Sequence, residues 1–165
     1  MNIRNATRGD LPVITEIYNE AIANTTATFD TTPKTMEEQE EWFDQHDEDF
    51  PILAAALDDQ IVGWASISAW SDRCAYSDTA EGSTYVHAGH RGKGIGTQLA
   101  RAIIDRAKKA GIHTILARVA EGNAGSLALL ATLGFEEVGI MKEVGFKFGK
   151  RLDVHLLQIV FTKEP

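Results

Sequence analysis

The sequence predicts an α/β domain, a mixed sheet covered by helices on both faces. Two observations predict it. The patterns run strand, helix, helix, several strands, then helix, strand, helix and a closing pair of strands. The composition, 44% hydrophobic and 24% charged over 165 residues, suits one packed domain spanning residues 1–165. No internal repeat or low-complexity tract interrupts the chain, and no linker divides it.

Each element has its own signal. Ile3 to Ala6 reads as a short opening strand. Asp10 stands as a helix cap, with Leu11 and Pro12 in the first turn, where proline's missing N–H costs nothing. Leu11, Ile14, Ile17, Tyr18, Ala21 and Ile22 then keep helical spacing. Thr35 and Glu38 have capping-box spacing and open an acidic helix carrying Met36, Trp42 and Phe43. Pro51 to Leu57 and Ile61 to Trp70 flank an Asp58-Asp59 turn and read as antiparallel strands. A polar loop over 71–80 leads to a strand over 82–88. A helix from about Ile95 to Ala110 carries an apolar stripe of Ile95, Leu99, Ala102, Ile103, Ala107 and Ala110 and stops at Gly111. Thr114 to Val119 is a buried strand. Asn123 to Leu133 is a helix stopped by Gly134. Strands over 136–144 and 152–161 finish the chain. Only 71–80 and 145–151 are long connections, and long loops beside a sheet are where substrate sites tend to lie.

Charge and cysteine content exclude several classes. Acids outnumber bases 24 to 16, for a net charge of −8, opposite to the balance of a domain that wraps duplex nucleic acid. No apolar run approaches the roughly 18 residues of a membrane span. The first residues lack the basic-then-apolar pattern of a secretory signal. Cys74 is the only cysteine, so neither an intrachain disulfide nor a cysteine-rich zinc site is available, and a cytoplasmic location is expected. His87 and His90 lie at a strand end and in a loop, and no metal is expected. Acids cluster over 37–49, and a basic group runs from Arg91 and Lys93 to Lys108 and Lys109. A basic island in an acidic chain points to a small anionic ligand, or simply to a solvated helix face.

The most informative stretch is Tyr85-Val-His-Ala-Gly89-His-Arg91-Gly92-Lys93-Gly94-Ile95-Gly96-Thr97. A strand runs into glycines, and the glycines open a helix. The free N–H groups of the helix start and its dipole favour phosphate, and Arg91 and Lys93 add charge. A P-loop requires Lys followed by Ser or Thr, but Gly94 follows Lys93. A dinucleotide fingerprint requires Gly-x-Gly-x-x-Gly, but Gly92, Gly94 and Gly96 are spaced two and two.

Arg91-x-x-Gly94-x-Gly96 after a strand resembles the pyrophosphate-binding motif of GNAT superfamily N-acetyltransferases, which hold coenzyme A. Other segments resemble the phosphinothricin and methionine sulfone or sulfoximine acetyltransferases within that superfamily. These are Ile17-Tyr18-Asn19 with Thr25-Thr26, the run from Trp70 to Val86, Gly122-Asn123-Ala124-x-Ser126, Leu133-Gly134-Phe135, and Gly145-x-Lys147-Phe148-Gly149-x-x-x-Asp153. The likeness covers about Ile3 to Phe161.

The resemblance implies the GNAT acyltransferase fold, with a mostly antiparallel twisted sheet, and a homodimer. It implies acetyl transfer from acetyl-CoA to the α-amine of a small amino acid analogue. The backbone of Thr84, Tyr85 and Val86 is then expected to hold the pantetheine arm and the acetyl carbonyl. Gly92, Lys93, Gly94, Ile95, Gly96 and Thr97 wrap the pyrophosphate, with Arg91 nearby. Asn123 and Ser126 touch the coenzyme from across the cleft, although Asn123 also has the form of a plain N-cap. Glu81 takes the amine's proton, directly or through water, since only a neutral amine attacks a thioester. Arg73 is the candidate for the substrate's anionic group, beside Tyr76, Gly82 and Ser83, and Lys147 adds a second positive charge.

Three positions depart from the family pattern. Leu130 stands where many relatives have Tyr or His, which removes a side-chain proton donor to the departing thiolate. Phe148 replaces a His of the phosphinothricin enzymes, and Arg151 replaces a Trp. Two other readings stay open. One is a non-catalytic acyl-CoA-binding sensor, which Leu130 favours. The other is acetylation of a protein terminus or lysine, which the acidic 37–49 block favours.

Overall fold

The structure, a computed structural model, describes residues 1–162. In chain order the elements are β1 (Asn2–Asn5), α1 (Leu11–Asn24), α2 (Met36–Asp44), β2 (Ile52–Leu57), β3 (Gln60–Ala69), β4 (Thr79–Val86), α3 (Ile95–Lys109), β5 (Thr114–Ala120), α4 (Ala124–Thr132), β6 (Glu136–Lys147) and β7 (Lys150–Val160). The strands form one sheet in the order β1-β2-β3-β4-β5-β7-β6. Every pairing is antiparallel except β4 with β5, which are parallel and joined by the crossover helix α3. This is the mixed sheet the element pattern predicts, mostly antiparallel as the family resemblance implies.

Strand alternation distributes the core to two faces. Leu53, Ala65 and Ile67 point to one side, where they meet Leu99, Ile103 and Ala107 of α3, with Leu127 and Leu130 of α4 packed against them. Ile52 and Trp64 point to the other, where they meet Ile14 and Ile17 of α1 and Trp42 of α2. Among the described residues, no helix is long and apolar enough to cross a membrane.

Capping explains how the first helices begin, with one correction. Thr35 and Glu38 close the predicted capping box, Thr35 Oγ1 accepting from the Glu38 amide at 3.2 Å and the Glu38 carboxylate accepting from the Thr35 amide at 2.8 Å. Asp10 occupies the N-cap of α1 but does not cap it. Its carboxylate turns back to accept from the Thr7 amide at 2.7 Å and from both Arg4 terminal nitrogens at 2.7 and 2.9 Å.

Two loop expectations are also corrected. The polar loop ends at Asp78, because Thr79 and Ala80 already pair with β5 and β3, and β4 stops at Val86 instead of continuing to residue 88. The segment 145–151 is not a long loop. Strands β6 and β7 run on to Lys147 and from Lys150, and a two-residue turn joins them. Phe148 (φ 51°) and Gly149 (φ 75°) both take the left-handed conformation that such a tight hairpin requires.

Candidate active site

The site begins with a pairing that stops early. Strands β4 and β5 pair only through Thr79, Ala80 and Glu81 opposite Thr114, Ile115 and Leu116. Beyond that, β5 continues to Ala120 in register with β7, while β4 continues to Val86 in register with β3. The two strands fork, and β4 keeps an edge that faces no strand.

The direction of its backbone groups follows from strand alternation. The Thr79 carbonyl accepts from the Trp70 amide at 3.1 Å and the His87 amide donates to Val62 O at 2.9 Å, so odd-numbered residues turn toward β3. The N–H and C=O groups of Gly82, Thr84 and Val86 therefore turn into the fork. One of them is already used, since the Val86 carbonyl accepts from Arg91 Nε at 3.0 Å.

The glycine loop lies at the end of this edge. Gly94 caps α3 at φ 77°, in the left-handed region, and a Cβ there would meet nothing within 4 Å. The amides of Ile95, Gly96 and Thr97 open α3 and have no carbonyl one turn behind them within the helix. Gly96 packs closely, because a Cβ would come within 3.4 Å of Leu129 on α4 and 3.6 Å of Val86. The two basic side chains have protein partners: Arg91 Nη2 is 2.5 Å from Glu20 Oε2, and Lys93 Nζ donates to Gly89 O at 3.1 Å. The amides, more than these side chains, are left to face a ligand. Opposite, Asn123 caps α4, its Oδ1 accepting from the Ser126 amide at 3.2 Å.

On the α1 and α2 side of the same strand, Ser83 and Tyr85 line a cavity of ≈ 280 Å³ with Tyr18, Trp42, Trp64, Ser66 and Ser68. Asp30, Lys34, Glu38 and Gln39 close its outer wall. Its aromatic rings hold one another: Trp64 lies 4.8 Å from Tyr85 and 5.4 Å from Trp42 between centroids, and Tyr18 lies 5.0 Å from Tyr85. The indole N–H of Trp64 is buried and has no hydrogen-bond partner among the described residues. Burial pushes the Tyr85 phenol up to about 12 and raises that of Tyr18 too, so both stay protonated near neutrality.

Glu81 lies on this face of β4, at the mouth of the fork. Its Oε1 and Oε2 accept from Arg118 Nε and Nη2 of β5 at 2.5 and 2.7 Å. Arg118 was not apparent as a site residue from the sequence. The available signal was a lone arginine in an otherwise apolar run, Thr114-Ile-Leu-Ala-Arg118-Val-Ala, on a strand read as buried.

The other expected substrate contacts separate. Arg73 and Tyr76 are exposed on the segment between β3 and β4 and do not line the cavity. Lys147 is 4% exposed and donates to Thr28 O at 2.7 Å, with burial lowering its pKa. It ties the β6–β7 hairpin to the loop after α1. Phe29 of that loop fills the space over Gly145, where any Cβ would collide with its ring. Leu130 packs against the core under α4. Cys74 is exposed.

Comparison with known proteins agrees with this geometry. Residues 3–156 match the family described as acetyltransferase (GNAT) domain. An L-methionine sulfoximine/L-methionine sulfone acetyltransferase of Pseudomonas aeruginosa is 41% identical over 160 residues, covering 96% of this chain and 93% of that one. A phosphinothricin acetyltransferase of Sinorhizobium meliloti, solved in complex with acetyl-CoA, superposes with a TM-score of 0.93 at 35% identity, over 96% of this chain and 87% of that one. A ribosomal-protein-alanine N-acetyltransferase of Brucella melitensis superposes with a TM-score of 0.95 at 38% identity, over 98% and 100%.

Proposed function

The chain belongs to the GNAT acetyltransferase family, and on that premise we propose that it transfers acetyl from acetyl-CoA to the α-amino group of a small amino acid analogue, of the methionine sulfone, methionine sulfoximine or phosphinothricin type. The observation that carries this is the fork between β4 and β5, which leaves a strand edge running from Glu81 to the glycine loop, with a small cavity beside Ser83 and Tyr85 on the face that Glu81 shares.

The residues present fit acetyl-CoA. The fork-facing groups of Gly82 and Thr84, with the Val86 amide, suit the amides of a pantetheine arm. The amides over 92–97 suit a diphosphate at a helix N-terminus. Asn123 and Ser126 form the far wall. When bound, acetyl-CoA supplies an acetyl thioester to the amine. An N–H on the β4 edge is placed to stabilise the developing oxyanion. Glu81 receives the amine's proton, directly or through water, and Arg118 fixes the direction its carboxylate takes.

The cavity supports a small acceptor. Its Trp64 N–H and the hydroxyls of Ser66 and Ser83 are donors for the polar atoms of one amino acid side chain, and its aromatic walls suit the methylenes. In this reading Arg73 and Tyr76 meet the substrate's carboxylate only if their exposed segment folds over it, and Lys147 acts by holding the loop after α1.

The edge of the sheet supports a homodimer. Val138, Ile140, Val144, Phe146 and Phe148 of β6 and its turn are 41–61% exposed, a run of apolar side chains along an edge strand that a second copy would cover. The reaction requires no metal, and the acidic surface favours neither nucleic acid nor a membrane. A cytoplasmic location suits the acetyl-CoA supply.

Protein-terminus acetylation is the second reading, favoured by the Brucella melitensis likeness. One panel separates the two. Free-thiol release from acetyl-CoA is expected with L-methionine sulfone, L-methionine sulfoximine or phosphinothricin, and an alanine-terminated peptide should not compete. Release with peptide alone favours the second reading. Binding of acetyl-CoA with no release for any amine identifies a sensor and overturns both.

A further inference from the structure

A histidine outside the glycine loop completes a hydrogen-bonded line to this cavity. Just past α2, the ring of His46 is half-buried and lies against Trp42, 4.8 Å between centroids. Its Nδ1 is 2.7 Å from Trp42 O and its Nε2 is 3.0 Å from Ser68 Oγ. A carbonyl can only accept, so Nδ1 carries the hydrogen and Nε2 of the neutral ring accepts the Ser68 hydroxyl proton. Ser68 lines the cavity and is the cross-strand partner of Glu81 on the same face of the sheet. With its proton directed at His46, the Ser68 oxygen is left with lone pairs for a proton coming from the cavity.

Building on the acetyltransferase reading above, we propose that Ser68 and His46 form the onward leg of the proton path, carrying the proton of the acceptor amine from Glu81 to the imidazole. Both Glu81 oxygens accept from Arg118, so a proton resting there removes the negative charge that pairs with the guanidinium. The imidazole has no such conflict. The proton balance closes: one ammonium proton reaches Glu81 or a bridging water, a proton passes to Ser68 Oγ, and Ser68's own proton passes to His46 Nε2. The cationic ring keeps its Nδ1 bond to Trp42 O and later releases a proton to solvent. As the C–N bond replaces the C–S bond, the second amine proton leaves with the thiolate.

Burial lowers the His46 pKa from 6.5, which keeps the ring neutral and receptive near pH 7. Asp47 is the charged group beside the ring; on the same side of the sheet lie Asp44 at the end of α2 held by Arg8, Glu81 with Arg118 next to Ser68, and Asp30, Lys34 and Glu38 along the cavity.

The test uses L-methionine sulfone with acetyl-CoA. His46→Gln keeps an oxygen to accept from Ser68 but no basic nitrogen. We expect His46→Gln and Ser68→Ala each to lower kcat about 100-fold, with the KM for acetyl-CoA unchanged. The double variant should be no slower than either single one, and Ser68→Thr should restore most of the rate. The wild-type kcat should fall as pH drops through a value below 6.5, and His46→Gln should lose that limb. Independently of turnover, ¹⁵N NMR of the protein without acetyl-CoA should show the Nδ1–H tautomer and a titration below 6.5 that shifts in Ser68→Ala. A wild-type pH profile in His46→Gln, losses that multiply, or an Nε2–H tautomer would each overturn the proposal. If wild-type protein releases no thiol, the acetyltransferase reading fails, while the tautomer still decides the Ser68–His46 bond.

Discussion

Glu81 and Arg118 meet just past the last paired rung of β4 and β5, joined by two hydrogen bonds of 2.5 and 2.7 Å. The Arg118 guanidinium also lies over the Trp70 ring at 5.7 Å. This pair marks where the parallel pairing ends and the fork begins. It couples the strand that would hold the thioester to the face that would hold the amine.

Glu81→Gln keeps an acceptor for Arg118 and removes the carboxylate that takes the proton. Turnover with L-methionine sulfone should fall about 100-fold, while calorimetry should show unchanged acetyl-CoA affinity. An unchanged rate would remove Glu81 from the proton path.

Gly94→Ala places a side chain at φ 77° with open space around it, so its cost is backbone strain, about 1–2 kcal/mol. If the α3 amides hold the diphosphate, the strained cap should also weaken acetyl-CoA binding about tenfold, the equivalent of about 1.4 kcal/mol. Gly111→Ala, at φ 84° beyond the other end of α3, carries similar strain and should leave that affinity alone. Thermal melts and calorimetry on the two variants separate strain from binding.

Asp10 links folding to pH. The Arg4 guanidinium, with the Thr7 amide and hydroxyl, holds its carboxyl down from 3.8 to about 2, and it is 8% exposed. A depressed folded-state pKa adds stability above the unfolded value that is lost as pH falls through the folded one, here about 2 kcal/mol. Urea melts should show Asp10→Asn less stable by about that amount at pH 7. The gap should narrow between about pH 4 and pH 2.

Phe146 is 61% exposed in the middle of the β6 stripe. Phe146→Arg should convert a dimer to a monomer in light scattering, without altering the monomer's melting temperature. A wild-type monomer at assay concentration would contradict the proposed dimer.

Much of the fold was legible because its signals are local. The Thr35–Glu38 box, Gly94 before α3 and the alternation around Trp64 each lead to the observed element. The site was legible in part for the same reason, since the glycine loop is contiguous and its amides follow from helix geometry. What was not legible depends on contacts distant in sequence. Asp10 carries a capping residue's identity but spends its carboxylate on Arg4 of the neighbouring strand. Arg91 reads as a phosphate ligand, and nothing local announces its pairing with Glu20 on α1. The 145–151 segment looked like a loop because Phe148 gives no sign of the left-handed turn it adopts. Arg118 and His46 acquire partners only when β5 and α2 come to lie beside β4 and β3.

The central claim is that acetyl-CoA lies along the unpaired edge of β4 with its diphosphate on the amides over 92–97. Amide ¹H–¹⁵N NMR during an acetyl-CoA titration tests it most directly. The account predicts saturable shifts at Gly82, Thr84, Val86 and residues 92–97, with little change at the β1 edge of the sheet. Saturable binding that leaves these amides unmoved would contradict it.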